Sequence, residues 1–135
     1  MSVYGELVTL GRRPDRPLAS GLVPSARAER ANPFCGDDIA LEVVLDDRGI
    51  RAVGYRAHGC VFVRASASLL VDQTVGLTTD QALVLARALD KAIRTLGRFP
   101  SGLEELAGVK YLPVRRQCAL LPWEALTASL AERAA

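Results

Sequence analysis

Ile39-Ala40-Leu41-Glu42-Val43-Val44-Leu45-Asp46-Asp47-Arg48-Gly49-Ile50-Arg51-Ala52-Val53-Gly54-Tyr55-Arg56-Ala57 places two alternating runs around a turn. In the first run Ile39, Leu41, Val43 and Leu45 share one face, the pattern of a half-buried strand. Asp46-Asp47-Arg48-Gly49 has the composition of a tight turn. In the second run Arg51, Val53, Tyr55 and Ala57 alternate, so the chain is predicted to return antiparallel to the first. Outward from this hairpin, a third strand is expected around Ala26 to Ala31. After Gly59-Cys60 the period changes from strand to helix. Val61 to Val75 reads as a helix with Ala65, Ser66, Ala67 and Ser68 in its first turns, ended by Gly76. Thr78-x-x-Gln81 is a capping-box pattern. It opens a helix on which Ala82, Leu85, Leu89, Ile93 and Leu96 keep helical spacing. Gly102 to Gly108 is expected to form a single turn. A last helix is expected from about Cys118 to Arg133, with Pro122 in its first turn and Trp123, Leu126 and Leu130 as its apolar stripe. Val3 to Leu10 reads as a short amphipathic helix, and Gly11 to Pro24, with three prolines, as a loop. The sum is an α+β fold: a small antiparallel sheet of about three strands packed against helices.

At 135 residues the chain is read as one domain, with residues 1–24 as an N-terminal helix and loop and 25–135 as the core. Half the residues are hydrophobic, enough to bury a sizeable interior. A net charge of +2 is too small to argue for nucleic acid. Arg12-Arg13, Arg27/Arg30 and Arg115-Arg116 are read as solvated faces, the alternative being a docking patch for an acidic partner. No run approaches the ~20 apolar residues of a membrane span, and Met1 to Leu10 lacks the pattern of a signal peptide. A cytoplasmic protein with no membrane partner is expected.

Cys35, Cys60 and Cys118 are an odd set, which argues against a closed disulfide framework. With Asp37 they offer three soft thiolates and one carboxylate, a four-ligand set for a tetrahedral metal or a small iron–sulfur cluster. Cys60 and Cys118 are both expected to open helices, where free N–H groups favour thiolate. Gly36 lets the backbone turn between Cys35 and Asp37. No Cys-x-x-Cys pair exists, so spacing alone leaves open the alternative that these cysteines are small buried hydrophobes. His58, the one histidine, is read as a solvent-facing strand end. Ser66 and Ser68 are read as packing or capping residues.

Asn32-Pro33-Phe34-Cys35-Gly36-Asp37, Gly59-Cys60 with Ser66 and Ser68, and Val114-Arg115-Arg116-Gln117-Cys118-Ala119 together resemble the U-type iron–sulfur cluster assembly family over about Asn32 to Leu130. The Isc-type branch has His directly before the third cysteine, where this chain has Gln117. The Suf-type branch lacks that His and carries an insertion that Gly102 to Lys110 resembles. Arg115 and Trp123 also match the Suf-type pattern. The resemblance is therefore to the SufU-like branch.

That resemblance implies a zinc ion held by Cys35, Asp37, Cys60 and Cys118. It implies a sulfur acceptor and transfer protein acting with a SufS-type cysteine desulfurase and delivering to downstream cluster-assembly proteins. Cys35 would be the persulfide acceptor, freed when a histidine of the desulfurase takes its place on zinc. Arg115 would gate the site or position the partner. Two alternatives stand beside this: a scaffold that assembles and transfers a 2Fe–2S cluster, and a non-catalytic zinc-binding interaction module. Gln117 counts against the scaffold. The chain departs from the Suf-type pattern in two places. The usual Asp-His-Tyr-x-x-Pro stretch, aligned on Pro14, reads Thr9, Leu10 and Gly11. After Cys60, Val61-Phe62-Val63-Arg64 is bulkier than the family's small, polar run.

Overall fold

The computed structural model describes residues 5–33, 36–95 and 97–134. In chain order they form α1 (Gly5–Gly11), β1 (Ala26–Asn32), β2 (Asp37–Asp46), β3 (Gly49–His58), α2 (Val61–Thr74), α3 (Thr79–Thr95), a 3-10 helix (Glu104–Tyr111) and α4 (Pro113–Ala134). The three strands make one antiparallel sheet with β2 in the centre. This is the α+β architecture expected. The predictions at Val3 and Leu96 lie outside the described residues.

The turn between β2 and β3 is held by Asp46, whose Oδ1 accepts the N–H groups of Arg48 (2.8 Å) and Gly49 (3.2 Å). Ile39, Leu41 and Val43 are buried, as the alternation requires. In β3 the expected face is corrected at one residue. Val44 pairs with Ala52 but Leu45 pairs with Ile50, so Arg51 is an extra residue with no partner in the ladder. Side chains alternate with period two, so one inserted residue exchanges the faces. Ile50 is buried and Arg51 is exposed, while Val53, Tyr55 and Ala57 face inward.

α4 packs on β1 and β2, and α2 lies among α1, α4 and β3. Burial on most sides explains why α2 carries small residues: Ala65, Ser66, Ala67 and Ser68 are all fully enclosed. The loop after α1 crosses the outer edge of β3, where the Tyr55 N–H donates to the Arg16 carbonyl at 2.8 Å. That pairing covers a strand edge that would otherwise be open. At the start of α3 the capping box is formed reciprocally: Gln81 N–H to Thr78 Oγ1 (3.1 Å), and Thr78 N–H to Gln81 Oε1 (3.0 Å).

α4 begins five residues earlier than the cysteine spacing suggested, and this changes two expectations. Pro113 takes the first helical position, where a missing N–H costs nothing and the fixed φ favours the helix. Cys118 therefore lies in the second turn, not at the helix start. Pro122 lies inside the helix, not in its first turn. Having no N–H, Pro122 leaves the Cys118 carbonyl without its usual helical donor. The segment after Gly102 is also longer than a single turn, an eight-residue 3-10 helix.

Candidate metal centre

Asp37 is the first residue of central strand β2 and is 2% exposed. Cys60 is the N-cap of α2 and is partly buried. Cys118 is buried in α4. Their ligand atoms, a carboxylate oxygen and two Sγ, all lie within 4.8 Å of one another. The fold thus brings together three of the four residues singled out. Cys35, the fourth, lies outside the described residues. On either side of it, the Gly36 N–H donates to the Asn32 carbonyl at 3.0 Å and Asn32 pairs with Asp37 across the sheet.

Asp37 and Cys60 are joined twice. The Cys60 N–H donates to Asp37 Oδ1 at 2.9 Å, and the Cys60 thiol donates to Oδ2 at 3.1 Å. Gly59 makes this approach feasible. Its φ is +122°, and a Cβ there would collide with the Asp37 carboxylate. Burial raises the Cys60 thiol pKa above its ordinary value, and the hydrogen bond to Asp37 adds to the rise. Backbone N–H groups of Val63 and Phe62 oppose it but do not win. Burial and the neighbouring carboxylate thus act against the thiolate that the helix N-terminus favours.

The donor set fits a tetrahedral thiophilic ion. With Zn–S near 2.3 Å and Zn–O near 2.0–2.2 Å, ligand atoms of one tetrahedron stand about 3.5–3.8 Å apart, within the spread found here. A thiol and a carboxylate sharing one proton at 3.1 Å can exchange that proton for a metal.

Ser66 links the two helices that carry the cysteines. Its Oγ donates to the Ala119 carbonyl at 2.5 Å and accepts from Trp123 Nε1 at 3.0 Å. All three residues are buried. The hydroxyl therefore clips α2 to the turn of α4 that follows Cys118. The sequence assigned Ser66 only packing or capping, because its partners lie more than 50 residues away. Arg115 is one turn before Cys118. Its guanidinium is held further into its charged form by the Cys118 side chain and lies 5.7 Å from the centre of the Phe62 ring. Gln117 donates its amide N–H to Glu124 at 2.8 Å. His58 is exposed at the end of β3 and meets Asp38 Oδ1 through Nδ1 at 3.1 Å. Among the described residues no helix is long and apolar enough to cross a membrane.

Residues 14–133 match the family model described as NifU-like N terminal domain. The chain belongs to that family. It is 32% identical over 120 residues to the iron–sulfur cluster assembly scaffold protein IscU of Streptococcus pyogenes, covering 82% of this chain and 73% of that protein. It is 30% identical over 105 residues to the zinc-dependent sulfurtransferase SufU of Bacillus subtilis, covering 75% and 71%. Among solved structures, it superposes with a TM-score of 0.84 on a SUF-system cluster assembly scaffold protein of Fervidobacterium islandicum, at 25% identity and covering 95% and 96% of the two chains. A NifU-like N-terminal protein of Brucella abortus, at 18% identity and covering 96% and 92%, shares the fold with a TM-score of 0.86. These relatives are named for cluster assembly and for zinc-dependent sulfur transfer.

Proposed function

We propose that this chain is a SufU-like sulfur-transfer protein of iron–sulfur cluster assembly, with zinc held by Cys35, Asp37, Cys60 and Cys118 and Cys35 as the sulfur acceptor. The observation that carries the reading is the cluster of one carboxylate and two cysteine sulfurs within 4.8 Å. The likeness to the Bacillus subtilis sulfurtransferase supports it, and so does Gln117 at the position where the Isc-type branch has His. Bound zinc would keep the thiolates deprotonated while adding no redox chemistry of its own.

The chain's residues then have separate tasks. Asp37 is a hard ligand among soft ones, so the site can release a ligand more readily than four thiolates would. Gly59 and the Cys60 N–H hold its carboxylate in place. Arg115 places a positive charge beside Cys118. In the transfer, the Cys35 thiolate attacks the outer sulfur of a persulfide on a SufS-type cysteine desulfurase. The donor's S–S bond breaks, its cysteine leaves as a thiolate, and Cys35 carries the persulfide onward. No external oxidant or reductant is required.

A scaffold that builds a 2Fe–2S cluster is the second reading, favoured by the likeness to the Streptococcus pyogenes protein. Metal and acid-labile sulfide are to be measured after anaerobic purification without added zinc. About one zinc per chain and no sulfide supports sulfur transfer. Iron and sulfide in equal amounts supports the scaffold. In the sulfur-transfer case the chain accelerates a cysteine desulfurase and Cys35→Ser abolishes the gain; an unchanged gain in that variant would remove Cys35 as acceptor.

A further inference from the structure

Arg12-Arg13 and Arg115 are about 100 residues apart in the chain, yet the fold brings the end of α1 and Arg115 to the first turn of α2. On one side Gly11, at the end of α1, is pressed against Val61, the residue after Cys60. A Cβ at Gly11 would meet the Val61 backbone and Cβ. The bulky residue after Cys60 and the glycine at the end of α1 are thus halves of one contact. Arg12 and Arg13, both exposed, follow directly after that contact. The Arg13 carbonyl is fixed by Arg64 Nη2 at 3.3 Å. On the other side Arg115 lies over Phe62, the next residue along α2.

Among the described residues, Asp15 and Asp72 are already engaged. Asp15 accepts the Ala57 N–H at 3.2 Å and lies 4.0 Å from Arg64. Asp72 is paired with Arg16 at 2.8 Å. Asp37 belongs to the centre itself. Val114, 69% exposed, and the half-buried Phe62 add apolar area. Exposed Arg12 and Arg13 and the partly buried Arg115, with a small apolar floor next to the sulfur site, fit an acidic protein surface.

We infer that Arg12, Arg13 and Arg115 form a cationic docking rim around the Cys60–Cys118 centre, and that the sulfur-donating enzyme meets it with an acidic surface. This rests on the sulfur-transfer reading for the partner's identity. Charges at a rim mainly steer encounter and impart salt dependence, so their loss should weaken association without altering the chemistry.

The test uses the full chain, zinc-loaded, with the cysteine desulfurase of the same organism. Binding is measured by calorimetric titration and turnover by sulfide release, both across a salt series. The variants are R12E/R13E and, as a control of equal charge change, R48E/R51E at the far end of the hairpin. The expected result is a half-saturating concentration raised at least about tenfold for R12E/R13E, with the maximal rate kept and the salt dependence flattened, and no such change for R48E/R51E. Titration of R12E/R13E like the wild type overturns the rim while leaving sulfur transfer standing. Binding that R12E/R13E weakens, without any acceleration by the wild type, supports the rim and overturns sulfur transfer. Neither binding nor acceleration by the wild type overturns both.

Discussion

At the scale of single residues, the centre depends on contacts that look minor in the sequence. Gly59 has φ +122° and no room for a side chain against Asp37. Gly59→Ala should cost about 1–3 kcal/mol in backbone strain and displace the carboxylate. Stoichiometric zinc binding is expected to fall in chelator competition, whereas Gly21→Ala, at another positive φ but with open space around it, should leave zinc affinity intact. Ser66 gives a second case. Ser66→Ala leaves Trp123 Nε1 and the Ala119 carbonyl without the hydroxyl, at a cost of about 1–3 kcal/mol. Because the clip governs where Cys118 sits relative to Cys60, the ligand-field spectrum of the cobalt-substituted protein should change as well. A remote core variant of similar cost, Leu89→Ala, should leave that spectrum alone; equal spectra in the two variants would reduce Ser66 to a packing residue.

At the scale of elements, helix ends and interruptions decide where chemistry is placed. The α3 capping box is local, and the Thr78 and Gln81 side chains close it as their spacing implies. Thr78→Ala should lower unfolding free energy by about 1 kcal/mol, read from the denaturant midpoint, with zinc content unchanged. Pro122 works against its helix. A proline in a helix interior costs up to about 3 kcal/mol relative to alanine, and here it withholds a donor from the Cys118 carbonyl. Pro122→Ala should therefore stabilise the metal-free protein in denaturant unfolding followed through Trp123 fluorescence. The bulge at Arg51 is a tertiary matter: strict alternation put Arg51 on the inward face, and the ladder turns it out by skipping it.

At the scale of the whole molecule, the centre joins parts that only the fold brings together. Asp37 comes from the central strand, Cys60 from the cap of α2 and Cys118 from α4. A metal bound there ties the sheet to two helices, so its binding energy is folding energy. At free metal a hundredfold above Kd, the gain is about 2.7 kcal/mol. Chelation should lower the thermal midpoint accordingly, and Cys118→Ser should abolish the difference between metal-loaded and chelated samples; a midpoint indifferent to chelator would mean that the donors do not act together. The sequence by itself determined the hairpin, the switch from strand to helix at Cys60, the capping box and the residue types of the donor set. Each of these depends on neighbours within a few positions, where periodicity and turn chemistry act. The tertiary structure decided the pairing of Asp37 with Cys60, the Ser66 clip and the approach of α1 and α4 to α2. Those depend on burial and on contacts between residues dozens of positions apart, which no local pattern encodes.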